Sequence, residues 1–248
     1  MATFTLPSAL HGSIPSLLGV HHYEDAFEKM TRLGMLSAAF KGRLRGKINP
    51  AILDKKLLFI HVPKNAGTSI ASAVYGYSPP HRTAHFYQAV AGDFFRRAES
   101  FAVLRDPVER FLSAYWFIRN GGGEDVTVDP AFLKLLDGVE TIDHLLGFVE
   151  RNLGYIYDIP NVLRPQWWYV FGRSGELLPR RLFILETDQE ELADFLKAFG
   201  ASEIPFKNRT KKGAATVTDE QVDSIRRLYA RDVRLIETIQ AARMQPSC

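Results

Sequence analysis

Two short segments of this chain carry the residue types that bind phosphate groups. The first, residues 61–69, reads His-Val-Pro-Lys-Asn-Ala-Gly-Thr-Ser and begins within the apolar run Leu57–Val62. A buried strand that turns into a helix leaves backbone N–H groups at the helix start, where the helix dipole favours an anion. Lys64 adds a positive charge, and Thr68 and Ser69 add hydroxyl donors. The order differs from the GxxxxGK(S/T) loop of nucleoside-triphosphate enzymes, because this lysine precedes the glycine.

The second segment, residues 101–115, reads Phe-Ala-Val-Leu-Arg-Asp-Pro-Val-Glu-Arg-Phe-Leu-Ser-Ala-Tyr. Arg105 leaves a predicted strand at the edge where ligands collect in open α/β sheets. Arg110 and Ser113 share a helix face, and a guanidinium beside a hydroxyl suits a phosphate dianion. Asp106 is predicted to cap the following helix, with Glu109 as its capping-box partner, rather than to bind a metal.

The pair HVPKNAGTS (61–69) and LRDPVERFLSAY (104–115) resembles sulfotransferase family 2, whose members use 3′-phosphoadenosine 5′-phosphosulfate and release 3′-phosphoadenosine 5′-phosphate. Asn65 stands where many members carry Thr. A looser likeness extends over roughly residues 57–240. The resemblance implies that Arg105 and Ser113 bind the 3′-phosphate and that Arg209 helps to cover the nucleotide. It also implies a loop that binds the 5′-phosphosulfate, formed by Lys64, Asn65, Ala66, Gly67, Thr68 and Ser69.

The same resemblance implies how sulfuryl transfer is catalysed. Lys64 is expected to stabilise the charge that builds on the leaving phosphate, and no metal is required. An acceptor hydroxyl needs a base, and histidine suits that role at neutral pH. His81 is the first candidate and His85 the second, and their i, i+4 spacing leaves the choice open; His61, inside the strand, is interpreted as structural. The acceptor implied is a hydroxyl on a carbohydrate or glycolipid.

The surrounding pattern indicates the fold that positions these residues. Short apolar runs at 57–62, 101–104 and 181–185 alternate with amphipathic helical segments, which predicts a P-loop-like three-layer α/β fold with a mainly parallel central sheet flanked by helices. Residues 1–50, with a predicted helix over Glu24–Phe40, are interpreted as an N-terminal helical extension. Residues 51–248 form the catalytic domain, which ends in a helix predicted over Asp219–Ala242 with a Thr218–Gln221 capping box.

Composition limits the class of protein. The chain has 248 residues, a formal net charge of +3 and a single cysteine at its last position. These values predict a globular, cytoplasmic protein with no disulfide, no membrane span and no general affinity for nucleic acid. Two alternatives remain open: a magnesium- and ATP-dependent kinase of similar fold, and a non-catalytic nucleotide-binding module. The aromatic cluster Gln166–Tyr169 fits either the core or a surface that stacks a sugar or the adenine.

Overall fold

A sheet of three parallel strands lies at the centre of the protein. The structure, a computed structural model, describes residues 15–122, 132, 134–201 and 217–244. The strands are β1 (Leu57–Ile60), β2 (Glu99–Leu104) and β3 (Arg181–Ile184), in the order β1-β2-β3. Nearly every strand residue is buried, as continuous apolar runs require when helices cover both faces of a parallel sheet. The predicted α/β class and the parallel sheet flanked by helices are confirmed.

Helices make up most of the remaining described chain. Before β2 they are α1 (Tyr23–Arg32), α2 (Ala38–Arg45), α3 (Pro50–Lys55), α4 (Gly67–Tyr75), α5 (Ala84–Val90) and α6 (Gly92–Arg97). After β2 follow α7 (Pro107–Arg119), α8 (Ile142–Asn152), the short α9 (Trp167–Val170), α10 (Gln189–Lys197), α11 (Asp219–Leu228) and α12 (Ala230–Met244). Two 3-10 turns, Ile156–Asp158 and Asn161–Leu163, join α8 to α9.

Side chains cover both outer edges of the sheet. The Tyr75 hydroxyl accepts the Phe59 N–H at 3.0 Å and donates to the Leu57 carbonyl at 2.8 Å, along the open side of β1. At the opposite edge Arg243 from α12 donates to the Leu182 carbonyl at 2.8 Å. Exposed strand edges invite pairing with other chains, so these contacts protect the sheet while satisfying its buried polar groups.

The helix predicted over Glu24–Phe40 is wrong in its extent. The structure has two helices there, and α1 ends at Arg32. Gly34 follows with a φ of +70°, a backbone conformation that a glycine adopts without strain and that cannot continue a helix. The helical spacing of apolar residues was therefore correct for α1 only.

The long final helix is also divided, although its start is as predicted. Thr218 and Gln221 form the expected capping box. The helix then breaks at Tyr229, whose buried hydroxyl donates to the Leu163 carbonyl at 2.7 Å. The bond ties the junction of α11 and α12 to the 3-10 turn between α8 and α9.

The N-terminal helices pack into the same core as the sheet. Ala26 and Phe27 of α1 are buried in the apolar cluster that contains β1 to β3. Asp25 forms a buried ion pair with Arg164, with both oxygen–nitrogen distances at 2.6 Å. A second cluster joins α7, α8 and α11 through residues such as Phe111. The division into a 1–50 extension and a 51–248 domain stays a prediction.

Candidate active site

The loop between β1 and α4 has an unusual backbone. Lys64 has a φ of 69° and Ala66 a φ of 58°, both in the left-handed region that side chains other than glycine rarely adopt. Ala66 occupies the N-cap position of α4 and caps it with no side-chain hydrogen bond. The first N–H groups of a helix have no acceptor within the helix. Strained residues at a helix start are typical of ligand-binding turns, where the surrounding fold holds the backbone in place.

Gly67 is required by close packing rather than by its dihedral angles. A Cβ atom at this position would lie 2.0 Å from Cδ2 of His61 and 2.1 Å from its Nε2. His61 is held there because its Nδ1 donates to the Pro79 carbonyl at 3.1 Å, which is possible only if Nδ1 carries the proton. Burial lowers the pKa of His61 well below its ordinary value, so the ring is neutral. These contacts give His61 the structural role expected of it.

Lys64 lies in a positive environment. Its ammonium sits over the Phe117 ring of α7, 4.1 Å from the ring centre. Burial lowers the pKa of Lys64 to about 8, and the cations Arg105 and Arg110 reinforce the shift. A lysine shifted in this way gains most from an anionic ligand, because the ligand offsets both the burial and the neighbouring charges.

Arg105 lies at the end of β2 and contacts the first loop. Its Nη1 donates to the Lys64 carbonyl at 3.3 Å, so the two predicted phosphate-binding segments touch. Its guanidinium also lies 3.2 Å from Glu109 and 3.6 Å from Glu186. An anion bound at Arg105 therefore competes with, or rearranges, two carboxylates.

Asp106 caps α7 as predicted, but its capping-box partner is different. The Asp106 carboxylate accepts the N–H groups of Val108 and Glu109 at 2.9 and 3.0 Å. The Asp106 N–H donates to Glu186, at 3.2 and 3.3 Å from its two oxygens. The Glu109 side chain instead contacts Arg105, so its predicted role as capping-box partner is wrong. Glu186, in the turn after β3, therefore takes the place of Glu109 as the acceptor for the Asp106 N–H. This contact depends on the tertiary fold and not on the local sequence.

One face of α7 covers the loop. Arg110, Ser113 and Phe117 recur at helical spacing and are all buried. Arg110 donates from Nε to the Pro63 carbonyl at 3.0 Å, and its Nη2 is buried without a hydrogen-bond partner. Within the described ranges no carboxylate forms an ion pair with Arg110. The shared face of Arg110 and Ser113 is as predicted, and it faces the loop that carries Lys64.

Two amide side chains, those of Asn65 and Gln166, bond to backbone groups at the end of β2. Asn65 Nδ2 donates to the Val103 carbonyl and to Gln166 Oε1, both at 2.7 Å. Gln166 Oε1 also accepts the Arg105 N–H at 2.9 Å, and its Nε2 donates to the Arg105 carbonyl at 2.7 Å. Gln166 thus joins the two segments that are predicted to bind phosphate. Sequence reasoning missed this role, because an isolated glutamine beside two tryptophans gives no signal for it.

Asp232 of α12 holds Gln166 in turn. Its two oxygens accept the N–H groups of Gln166 and Trp167, each at 2.8 Å. Burial raises the pKa of Asp232 to about 6, while these hydrogen bonds and Arg110 act in the opposite direction. The start of α9 is therefore anchored by a residue far along the chain, and this link was also missed.

The two candidate bases lie in different places. His81 precedes α5, which begins after the N-cap Thr83, so the two histidines do not share a helix face. His81 Nδ1 donates to the His61 carbonyl at 2.9 Å, which leaves Nε2 as the unprotonated nitrogen. Burial lowers the pKa of His81, with Arg110 and Lys64 contributing to the decrease.

His85 is on α5 and has charged neighbours of another kind. Burial lowers its pKa and Arg32 lowers it further, whereas Glu28 and Glu176 act in the opposite direction. Neither ring nitrogen makes a hydrogen bond in the described part of the chain. Arg110 and Lys64 of the candidate site act on His81 together with Glu24 of α1. The charges that act on His85 are Arg32 and Glu28 of α1 and Glu176, and none of them belongs to the candidate site.

The other sequence predictions have plain outcomes. Thr68 is partly exposed at the start of α4 and Ser69 is buried in the same turn. In the aromatic cluster, Trp168 and Tyr169 are core residues, whereas Trp167 is partly exposed. Arg209 lies outside the described residues.

Over the described ranges no three His, Cys, Asp or Glu side chains gather as metal ligands, and no described helix has the length and apolarity to cross a membrane.

Comparison with known proteins agrees with the site. Residues 53–121 match the model of the sulfotransferase family. The matched segment runs from α3 through β1, the Lys64 loop and β2 to the end of α7, so it contains both segments that are predicted to bind phosphate. It confirms the resemblance seen in the two motifs and supports sulfuryl transfer as the general reaction, in a transferase that pairs a nucleotide donor with a hydroxyl acceptor. No curated protein and no solved structure matches the chain significantly.

Proposed function

We propose that this protein is a sulfotransferase that moves a sulfuryl group from 3′-phosphoadenosine 5′-phosphosulfate to an acceptor hydroxyl on a carbohydrate or glycolipid. The observation that carries the proposal is the convergence of Lys64, Arg105 and Arg110 at the ends of β1 and β2, where the two cations depress the pKa of Lys64. Such a cluster is costly in the absence of an anion and stabilising once a doubly phosphorylated ligand binds.

In this proposal each segment binds one part of the donor. The turn at 64–69 and the N-terminus of α4 bind the 5′-phosphosulfate, with Lys64 beside the bridging oxygen. Arg105 and Ser113 bind the 3′-phosphate. Asn65 contributes through the backbone, since its side chain points into the protein and bonds to Val103 and Gln166.

The proposed chemical step depends on the protonation states of His81 and Lys64. The acceptor oxygen forms a bond to sulfur while the bond from sulfur to the leaving phosphate oxygen breaks. His81 Nε2 takes the acceptor proton, since the hydrogen bond from Nδ1 to His61 leaves Nε2 with a lone pair. The Lys64 ammonium stabilises the charge that develops on the leaving oxygen.

The donor is tested by calorimetric titration of 3′-phosphoadenosine 5′-phosphate without magnesium, against ATP with magnesium. We expect micromolar binding of the bisphosphate, and a loss of at least about tenfold in Lys64→Ala and Arg105→Ala. Arg181→Ala, at the opposite end of the sheet, is the matched control and should bind normally. Binding of ATP with magnesium alone would instead support a kinase.

The base is tested by turnover on an acceptor found by screening saccharides and glycolipids. His81→Gln should reduce kcat by about 10²-fold or more without changing bisphosphate affinity, whereas His85→Gln should retain activity. Equal losses in both variants, or a loss confined to His85→Gln, would reject His81 as the base. Bisphosphate binding with no turnover on any acceptor would favour the non-catalytic module.

A further inference from the structure

A cavity lies outside the two segments that carry Lys64 and Arg105. It has a volume of about 500 Å³, within the range of small-molecule sites, and is open to solvent on one side. Its walls come from α1, the turn after α8, the start of α9 and the end of α11. No residue that lines it falls within the segment 53–121 that matches the sulfotransferase family.

The charges in this cavity are all positive. Lys29 and Arg32 line it, and no acidic residue does. The Lys29 ammonium donates to the Leu18 carbonyl at 2.6 Å and contacts the Tyr155 hydroxyl at 2.5 Å. An ammonium has three donors, so one remains for a ligand. The Arg32 Nε is buried without a hydrogen bond, and Glu28 lies 3.8 Å from it, outside the lining.

Aromatic rings form the other walls. The Arg32 guanidinium lies over the Trp168 ring, 3.6 Å from its centre. Tyr157 meets Trp168 at 89° with ring centres 5.7 Å apart, and Trp167 meets it at 83°. Trp168 and Tyr157 are themselves buried, so the aromatic side chains that a ligand can reach are the exposed Tyr155 and the partly exposed Trp167.

We propose that this cavity binds a ring compound that carries one anionic group, a carboxylate or a sulfate ester. The ring contacts Tyr155 and Trp167, and the anion contacts Lys29 and Arg32. Both an aromatic acid and an acidic sugar have this chemistry. The proposal does not depend on the donor proposed above, because it uses different residues and a different ligand.

The cavity adjoins residues that position the candidate active site, so a ligand bound in it can affect that site. Trp167 lines it, and Gln166, the adjacent residue, fixes both phosphate-binding segments. Asp232 holds the N–H groups of both residues. A ligand that contacts Trp167 therefore acts on the same short helix start that carries the Gln166 amide.

The test uses the tryptophan fluorescence of the full chain in a Trp116→Phe background, which leaves only the two cavity tryptophans. Benzoate and glucuronate are titrated against their neutral counterparts, benzyl alcohol and glucose. We expect each anion that binds to do so at least about tenfold more tightly than its counterpart. The tighter anion identifies the source as aromatic or saccharide.

Variants assign the effect to the cavity. Lys29→Met should reduce the affinity for the anion to that of the neutral compound, whereas Lys29→Arg should retain it. Lys197→Met, at an exposed lysine of α10, is the matched control and should bind as the parent does. If neither anion changes the fluorescence, if anion and neutral compound bind equally, or if a correctly folded Lys29→Met keeps the preference, the proposal is wrong. Circular dichroism melting establishes that each variant is folded.

Discussion

Arg164 and Arg110 are both almost completely buried, with 4% and 2% of their surfaces exposed, yet they have opposite surroundings. Arg164 forms a bidentate ion pair with Asp25, and its Nε donates to the Ile159 carbonyl at 3.0 Å. Arg110 bonds to one carbonyl, and among the described residues no carboxylate pairs with it. Its neighbours include two further cations, Lys64 and Arg105.

The difference separates a buried charge that holds the fold together from one that lies in the proposed donor site. Burial disfavours the charge on Arg164, but Asp25 outweighs it and raises the pKa of the guanidinium. That pair fastens α1 to the segment before α9. At the other site Glu109 and Glu186 pair with Arg105, and Arg110 acts on the buried Asp232 carboxylate without an ion pair to it in the described chain. In the function proposed above, the phosphates of the donor supply further negative charge there.

The largest effect is expected from breaking the paired site. Arg164→Met leaves the Asp25 carboxylate buried without its partner, and the free energy of unfolding should fall by about 3–5 kcal/mol. Urea unfolding followed by circular dichroism measures it. Arg181→Met, at a half-exposed arginine paired with Glu99, should cost less than about 1 kcal/mol. Equal losses in the two variants would contradict the structural role of the Asp25–Arg164 pair.

The next effect concerns the amide that joins the two phosphate-binding segments. Gln166→Leu leaves the Arg105 N–H and an Asn65 donor with fewer partners, which should cost about 2–3 kcal/mol of unfolding free energy. Bisphosphate affinity should fall at least about tenfold as the segments separate.

A matched control distinguishes positioning from general damage. Gln189→Leu removes an exposed glutamine that bonds to the Leu185 carbonyl at 3.1 Å, and it should change neither quantity. If Gln166→Leu is destabilised but binds the bisphosphate normally, Gln166 is a core residue only.

A smaller change in stability is expected at the unpaired arginine. Arg110→Met removes a buried cation that has no ion pair in the described chain, so unfolding free energy should change by less than about 1 kcal/mol. Bisphosphate affinity should nevertheless fall by about tenfold. This is the reverse of Arg164→Met, which should lose stability. A destabilisation as large as that of Arg164→Met would remove the contrast between the two arginines.

The smallest effect is a pH dependence set by Lys64. Its pKa is lowered to about 8, so the side chain is positively charged below that pH and loses its charge as the pH rises through that value. Bisphosphate affinity, measured by calorimetry from pH 7 to pH 10, should therefore decline above about pH 8. Lys64→Arg keeps its charge over this range, and its affinity should stay level. An unchanged decline in Lys64→Arg would assign the titration to another group.

The sequence predicted the secondary structure of the two motif segments better than that of the N-terminal region. Strand ends at β1 and β2, the helix Pro107–Arg119 and the Asp106 cap follow from runs of apolar residues and from local capping rules, which are short-range. The helix over Glu24–Phe40 failed because apolar spacing persisted past Gly34, where the backbone turns. The Glu109 capping box failed because Glu186, distant in sequence, accepts the Asp106 N–H while the Glu109 side chain pairs with Arg105.

The sequence by itself determined the α/β class, the two motifs that resemble sulfotransferase family 2 and their order along the chain, since each depends on residues a few positions apart. Only the tertiary structure decided which buried charges are paired, which histidine lies near Lys64, and that Gln166 joins the two segments. The physical reason is that these features depend on contacts between residues far apart in the sequence. Gln166 is 61 positions from Arg105, and Asp25 is 139 positions from Arg164. Burial and hydrogen bonding at such separations are fixed by packing, which no local pattern records.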